Sequence, residues 1–226
     1  SLENASNTRE QAAIGELATY SVQITVPEGT TLNTRLRDIL PAGMVFVRCL
    51  SISAPGGVST NLPGGFASAC PVVPQDPAVN PTVSADGQTV EFSLGDLTNT
   101  NNTPEPEVLT LTYQAVVRHI SSNNEGTTLT NNATLFWDSG SASDAGDTLT
   151  IVEPLVIITK SASPTSGDGG DTITFTVELT AVSGANRTDA YNVVFADLIP
   201  AGMSYVNNSL AFVPGGCTHA ARMICS

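Results

Sequence analysis

The sequence predicts an all-β fold in which two antiparallel β-sandwiches follow each other, the second of them incomplete. Apolar and polar residues alternate in short runs separated by Gly, Pro, Asn and Asp, a pattern typical of strands joined by turns. Hydrophobic residues make up 41% of the 226 residues and charged residues only 13%, a composition that suits half-buried sheets and excludes a disordered chain. A long stretch of the sequence also occurs twice.

The duplication is clearest in a seven-residue motif. It reads DILPAGM at Asp38–Met44 and DLIPAGM at Asp197–Met203, so the two aspartates are 159 residues apart. Upstream, the pattern of Gly15–Val22 returns at Gly170–Val177 with a spacing of 155 residues. A repeat of this length indicates a duplicated domain rather than a solenoid unit.

The first domain is predicted to span residues 1–153 and to contain seven or so short strands. Asp86–Gly87 is a hairpin signal, and Pro41–Gly43 is expected to turn the chain between two strands. Asp138–Asp147 is rich in Asp, Gly and Ser and is predicted to be a loop. No segment has a convincing helical period, so the arrangement indicates an antiparallel sandwich. The predicted strands are Leu17–Val26, Leu32–Ile39, Met44–Ala54, Pro81–Ala85, Thr89–Leu94, Val108–Arg118, Thr127–Trp137 and Thr148–Val152.

The second domain is predicted to span residues 154–226, after the stiff dipeptide Glu153–Pro154. Counterparts of the strands Val108–Arg118 and Thr127–Trp137 do not occur in it. Three interpretations are open: the chain is a fragment of a longer repeat protein, which we favour; another chain adds the strands; or the second sheet is small and complete. The predicted strands here are Leu155–Lys160, Thr172–Thr180, Asn192–Asp197 and Met203–Phe212.

The charge of the chain limits its partners. The formal net charge is −13, with 21 acidic residues against 8 basic ones, so no basic surface is available to neutralise nucleic-acid phosphates. No apolar run approaches the roughly 20 residues that a membrane-spanning helix needs. We therefore expect neither a nucleic-acid partner nor a membrane span in this chain.

Four cysteines are divided equally between the two repeats. Cys49 and Cys70 lie in the first, and Cys217 and Cys225 lie in the second. Their spacing does not match a Cys-x-x-Cys zinc pattern. An even number divided by domain favours one local disulfide in each repeat and an oxidising, extracellular compartment, with free buried thiols as the alternative.

The motifs above, together with Asn131–Leu135 (NNATL), resemble the "conserved repeat" Ig-like domain of large prokaryotic surface proteins. That family has no assigned function and is similar to pilin domains that form intramolecular isopeptide bonds. The resemblance covers both repeats. It implies tandem Ig-like modules in cell-surface fibres, sheaths, surface layers or adhesins.

The resemblance to pilin domains also implies residues for a crosslink. Lys160 matches the lysine of the first strand, and Asp197 matches the assisting acid, but the asparagine would lie in strands that this chain does not contain. In the first repeat, Asn131 and Asp38 match the asparagine and the acid, but residues 1–159 contain no lysine. Neither repeat has the full set, so no isopeptide bond is expected within a domain. The alternative is that Asp38 and Asp197 cap the Pro-Ala-Gly turns.

Two further kinds of site are suggested by composition. Acidic residues near the domain junction could bind calcium, because hard cations prefer oxygen ligands, although such turns are usually only solvated. Asn-x-Ser/Thr sequons could carry glycans. The calcium candidates are Asp138, Asp144, Asp147, Asp168 and Asp171, and the sequons begin at Asn4, Asn101, Asn132, Asn186 and Asn207.

These observations predict a non-catalytic structural module of an extracellular fibre, sheath or surface-layer protein. Its partners would be neighbouring copies or domains of the same surface protein, and no cofactor other than calcium is expected. The alternative is an adhesin that binds a glycan or protein through the loops Pro55–Asn80 and Asp96–Glu107. His119 and His219 lie in different repeats without a nearby nucleophile motif, so no enzymatic activity is predicted.

Overall fold

The computed structural model describes residues 10–71 and 80–213. Asn4, Cys217, Cys225 and His219 lie outside these residues. Within the described ranges the chain forms twelve β-strands and one 3-10 turn at Gly65–Ser68. The strands are β1 (Gln11–Ala12), β2 (Leu17–Val26), β3 (Gly29–Ile39), β4 (Met44–Ser53), β5 (Val58–Thr60), β6 (Thr82–Val83), β7 (Thr89–Asn99), β8 (Glu107–Val117), β9 (Thr128–Trp137), β10 (Gly140–Ile151), β11 (Val156–Ser163) and β12 (Thr174–Ala181).

Strands β1 to β10 form an Ig-like β-sandwich, as the sequence predicts. The large sheet has the strand order β1-β10-β9-β3-β7-β5, and β6 also pairs with β7. The small sheet has the order β2-β8-β4. All of these pairs are antiparallel except β1 with β10.

The core lies between the two sheets because alternate residues of each strand are apolar. Strand β8, at the centre of the small sheet, shows this most clearly, with every second residue from Glu107 to Val117 buried. Leu109, Leu111 and Tyr113 of this strand are fully buried. They pack with Leu36 of β3 and Phe92 of β7 from the large sheet in one continuous core.

The predicted loop Asp138–Asp147 is wrong. Strand β10 begins at Gly140 and pairs with β9 directly after a turn at Asp138–Ser139. Hydroxyl groups support the ladder, with Thr134 Oγ1 2.9 Å from Ser143 Oγ and Thr130 Oγ1 3.2 Å from Thr148 Oγ1. Composition pointed to a loop, but cross-strand pairing to β9 overrides local preference.

The part of the chain after β10 belongs to two different compact units. The chain forms two compact units, Ser1–Asp189 and Ala190–Ser226. Among the described residues, strands β11 and β12 pair only with each other and form a two-stranded sheet within the first unit. The predicted strands Asn192–Asp197 and Met203–Phe212 are not strands in the structure. Extended segments become strands only when a neighbour takes up their backbone hydrogen bonds, and the described residues of the second unit supply none. The predicted domain boundary at 153/154 stays a prediction.

The repeated motif makes a tight turn in both copies, although Gly202 has a left-handed φ of 90° and Gly43 does not. In the first copy, the Met44 amide donates to the Pro41 carbonyl at 2.8 Å, and in the second, the Met203 amide donates to the Pro200 carbonyl at 3.1 Å. Gly43 is needed for close packing, because a Cβ there would lie 2.2 Å from Oδ1 of buried Asn123. In the first copy, the motif is therefore a structural corner between β3 and β4.

Candidate functional site

The first sandwich has a cluster of three polar side chains inside its core. Asp38 lies near the end of β3, Asn131 lies in β9, and Tyr113 lies in the middle of β8 on the opposite sheet. All three are buried, and Asp38 and Tyr113 are 0% exposed. Strand alternation turns each of these side chains inward, so the cluster bridges the two sheets.

The three side chains form a closed set of hydrogen bonds. The Tyr113 hydroxyl donates to Asp38 Oδ2. Asn131 Nδ2 donates to the same carboxylate oxygen at 3.1 Å and to the Tyr113 hydroxyl oxygen at 2.8 Å. The remaining carboxylate oxygen, Asp38 Oδ1, and the amide oxygen of Asn131 are buried without a protein partner.

Aromatic rings surround this cluster. Tyr113 stacks on Tyr20 with ring centroids 5.4 Å apart, and its ring also lies 5.9 Å from Phe92 and 6.1 Å from Phe46. This apolar wall removes water from the carboxyl group. Burial therefore raises the pKa of Asp38, and the hydrogen bonds from Tyr113 and Asn131 only partly oppose it. Burial, together with the charge of Asp38, also raises the pKa of Tyr113 well above its ordinary value.

This position corrects the interpretation of Asp38 as a turn cap. Its carboxylate points into the core and contacts β8 and β9 rather than the Pro41–Met44 turn. Asp38 and Asn131 are brought together, as the resemblance to pilin domains implies. The sequence reasoning missed Tyr113, although a tyrosine at an inward position of the most regularly alternating strand was a usable signal.

The cluster lacks an amine. Lys160 is the only lysine in the sequence. It lies in β11, where its ammonium nitrogen is 4.7 Å from the centroid of the Phe175 ring. Asp197 lies in the second compact unit and is exposed. An acid, an amide and a phenol without an amine cannot form an amide crosslink, so the Asp38–Tyr113–Asn131 cluster acts as a hydrogen-bonded bridge between sheets.

The first sandwich also contains the disulfide that its sequence predicts. Cys49 of β4 and Cys70, which follows the 3-10 turn, are bonded, with their Cα atoms 5.4 Å apart. Both residues are buried. The bond anchors the long segment between β4 and β6, and the predicted Cys217–Cys225 pair stays a prediction.

Two of the five acidic residues predicted to bind calcium accept hydrogen bonds through their carboxylates. Asp138 accepts from Asn33 Nδ2 at 2.9 and 3.0 Å, and Asp171 Oδ2 accepts from the Asp168 amide at 2.8 Å. Asp144 is exposed on β10. In the described part of the chain, no three His, Cys, Asp or Glu side chains come together to hold an ion. The side chain of Asp147 is not described, and calcium binding stays a prediction.

The predicted sequons occupy different environments. Asn132 and Asn207 are exposed. Asn101 is half-buried, and its Nδ2 donates to the Gly56 carbonyl at 2.6 Å. Asn186 is also half-buried and adopts a left-handed backbone with φ of 61°. Glycosylation at these positions stays a prediction.

An ion-paired junction connects the first sandwich to the β11–β12 hairpin. Arg187, beyond β12, places its guanidinium 2.5 Å from a carboxylate oxygen of Glu125, which precedes β9. The same arginine forms an isolated parallel bridge with Glu153, and the Glu153 amide donates to the Asn186 carbonyl at 3.1 Å. The chain following the hairpin is thereby fastened to the segment that follows β10.

Two shallow surface depressions lie on the large sheet. One is lined by residues around Arg37 and Glu91, and the other by residues around Asn33 and Asp138. No aromatic side chain lines either depression. Among the described residues, no helix is long and apolar enough to cross a membrane.

Comparisons with known proteins give only distant likenesses. No family model and no curated protein matches the chain. Among solved structures, it is similar to the full-length major pilin SpaD of Corynebacterium diphtheriae (15% identity, TM-score 0.37, 70% of this chain and 36% of that one). It is also similar to the major pilin BcpA of Bacillus cereus (12%, 0.40, 66% and 39%) and to the pilus protein RrgB of Streptococcus pneumoniae (11%, 0.35, 77% and 30%). The chain spans less than two fifths of each of these proteins. Likeness at this level supports no inference about function, and the resemblance to the conserved-repeat family stays a prediction.

The raised pKa of Asp38 predicts how stability depends on pH. Between the unfolded carboxyl pKa, about 3.9, and the higher folded pKa, the folded state binds more protons than the unfolded state. The free energy of unfolding should therefore fall as pH rises through that interval. Asp38→Asn keeps an acceptor oxygen but has no charge, so urea unfolding at pH 4 to 8 should show a stability gain over the wild type that grows with pH.

The matched control for this experiment is Asp197→Asn. Asp197 is the repeat counterpart of Asp38 and is exposed, so its replacement should leave the pH profile unchanged. Parallel stability curves for the wild type and Asp38→Asn would contradict the raised pKa.

Proposed function

We propose that this chain is a non-catalytic structural module of an extracellular fibre, sheath or surface-layer protein, in which Ig-like domains follow one another. The observation that carries the proposal is the internal duplication, because a domain repeated in series suits a spacer. The proposal includes neighbouring copies or domains of the same surface protein as partners.

The construction of the first sandwich supports this role. A force applied along the chain acts on the hydrogen bonds between the strands of each sheet. The Asp38–Tyr113–Asn131 bridge also connects β3 and β9 of one sheet to β8 of the other. The Cys49–Cys70 bond keeps the intervening residues from extending. The Arg187–Glu125 contact restrains the start of the second repeat. An extracellular compartment suits the disulfide, since such bonds persist in oxidising environments.

Immunoelectron microscopy of native surface material tests this proposal. An antibody raised against residues 10–153 should label filaments or a surface layer at regular intervals, with pre-immune serum as the control. Label restricted to filament tips, or found only on dispersed secreted protein, would overturn it. Tip labelling would favour the adhesin alternative, which no feature of the described surface now supports.

A further inference from the structure

The first and last strands of the described sandwich lie side by side and run in the same direction. Strand β1 pairs with the end of β10, with Gln11 opposite Thr150 and Ala12 opposite Ile151. Every other strand pair in the described sheets is antiparallel. The described sandwich therefore begins and ends in the one strand pair with parallel geometry.

Parallel pairing decides how this strand pair responds to a force along the chain. Two parallel neighbours run from the same end of the sheet, so the start of β1 and the end of β10 face opposite directions along the strand axis. A load that reaches β1 from the residues before it, and β10 from the residues after it, pulls the two strands past each other. The hydrogen bonds between them are then loaded together, in shear, instead of opening one at a time.

The hydrogen bonds between these strands extend beyond the two-residue register. The Thr150 amide donates to the Glu10 carbonyl at 2.8 Å, and the Val152 amide donates to the Ala12 carbonyl at 3.1 Å. Ala12 is 3% exposed and Val152 is fully buried. A hydrogen bond in such a dry environment is electrostatically stronger than one in water, so the second bond is well protected.

Strand β10 is also held from its other side. The Ile151 amide donates to the Thr127 carbonyl at 2.8 Å, and the Gly126 amide donates to the Ile151 carbonyl at 2.9 Å. Successive amides at the end of β10 thus alternate between β1 and the segment that precedes β9. The end of β10 cannot slide along the sheet without breaking hydrogen bonds on both sides.

A short turn fixes the chain where it leaves β1 for the small sheet. The Ala13 amide donates to Glu16 Oε2 at 2.6 Å, and the Gly15 amide donates to the Val117 carbonyl of β8 at 2.9 Å. Because β1 precedes this turn in the chain, a load from the amino-terminal side reaches the bonds between β1 and β10 first. The turn and β2 bear the load only after those bonds have broken.

We propose that the β1–β10 pair is a mechanical clamp: under tension along the chain, its rupture limits the unfolding of the first sandwich. The Cys49–Cys70 disulfide and the Asp38–Tyr113–Asn131 bridge lie between the two clamp strands in the sequence, so they bear load only after the clamp opens. This inference rests on the proposed function for its biological setting, a fibre under tension.

Single-molecule force spectroscopy on the full chain tests the clamp in two pulling geometries. Handles at the two ends of the chain shear β1 against β10. A handle at the amino-terminal end and another on an azide-bearing amino acid placed at exposed Ser59 of β5 pull across the large sheet, because β1 and β5 form its opposite edges. Strand β1 is then peeled from β10 one bond at a time. The unfolding force in this second geometry should be at least twofold lower.

The disulfide identifies the unfolding event of the first sandwich in these records. The bonded Cα atoms of Cys49 and Cys70 are 5.4 Å apart, and their sequence separation is 21. Extended chain of that length spans about 75 Å, so adding reductant should lengthen the end-to-end unfolding step by about 70 Å. The force at which the step begins should stay the same, since the clamp contains no cysteine.

A substitution in the clamp gives an independent test. Thr150→Pro removes the amide that donates to the Glu10 carbonyl, so it should lower the end-to-end unfolding force at least twofold. The comparison variant is Tyr113→Phe, which acts in the core behind the clamp. It should lower stability in urea and leave the unfolding force nearly unchanged, because forced unfolding follows the unfolding barrier rather than the equilibrium stability.

Either of two results would overturn the proposal: equal unfolding forces in the two geometries, or an end-to-end force that folded Thr150→Pro leaves unchanged. If Thr150→Pro does not fold, the comparison of geometries, which keeps every clamp residue, decides alone. A force that depends on geometry, without regular surface label in microscopy, removes only the fibre proposal. Regular label with equal forces leaves the fibre proposal standing and removes the clamp.

Discussion

Tyr113→Ala is expected to lower the free energy of unfolding of the first sandwich by about 3–5 kcal/mol, the range for truncating a large buried aromatic side chain. The ring fills the centre of the core and packs against Tyr20, Phe46 and Phe92, so its removal leaves a cavity. It also removes the hydroxyl that donates to Asp38. Urea unfolding monitored by circular dichroism measures the loss.

Tyr113→Phe separates the two contributions. The phenyl ring keeps the packing, and only the hydroxyl is lost, so a destabilisation of about 1–3 kcal/mol is expected from a buried carboxylate left with one donor fewer. Asp38→Asn alone is expected to stabilise the protein. The double variant with Tyr113→Phe should be destabilised by less than the algebraic sum of the two effects, because the residues share one hydrogen-bond network. Tyr191→Phe, at a half-exposed tyrosine of the second unit, should change stability by no more than about 0.5 kcal/mol. Strict additivity of the double variant would show that the bridge does not couple the sheets.

Regular alternation made the first sandwich predictable from sequence. Strand β2 has the predicted bounds, Leu17–Val26. Strand β8 differs from prediction by one residue at each end, and β9 differs by one residue at its start. In these strands the polar and apolar residues alone define which side faces the core. The first half of β10 was missed because its Asp, Gly and Ser residues have no inward apolar pattern, whereas the predicted strand Thr148–Val152 covers most of its second half. Only the β9 ladder makes it a strand, and a partner strand cannot be read from local sequence.

Two of the three residues of the candidate site could be predicted from the sequence, and the third could not. Asp38 and Asn131 were singled out by short motifs, and these motifs lie on neighbouring strands of the large sheet, β3 and β9. Tyr113 comes from the other sheet, and its contact with them depends on how the sheets pack face to face. No periodicity within one strand carries that information. The role of Asp38 followed from this packing, because burial makes the carboxylate part of the core instead of the turn.

The second repeat shows the limit of local patterns. Asn192–Asp197 and Met203–Phe212 alternate as strands do, yet neither is a strand in the described structure. The equivalent motifs in the first repeat become β3 and β4 because β9, β7 and β8 pair with them. A sequence pattern states which face would be buried, and long-range neighbours decide whether the strand forms.

Removing the Cys49–Cys70 disulfide is expected to lower the free energy of unfolding by about 3 kcal/mol, because the bond closes a loop with a sequence separation of 21 and restricts the unfolded chain. For a unit of this size, that corresponds to a melting temperature lower by about 6–12 °C. Alanine is the right replacement at both positions, since the two sites are buried and a serine hydroxyl there would add an unpaired polar group. Differential scanning calorimetry of Cys49→Ala/Cys70→Ala against the wild type measures the shift.

The two remaining cysteines provide the control for that experiment. Cys217→Ala/Cys225→Ala leaves the first sandwich intact, so its melting temperature should match the wild type without reductant and fall by the same amount when reductant is added. The Cys49→Ala/Cys70→Ala variant should show no further loss for the first sandwich under reduction. If its transition already coincides with that of the oxidised wild type, the bond does not anchor the segment between β4 and β6. The hydrogen bonds of the sheets and the Asp38–Tyr113–Asn131 bridge, which a reductant does not break, would then provide the mechanical resistance proposed for the disulfide.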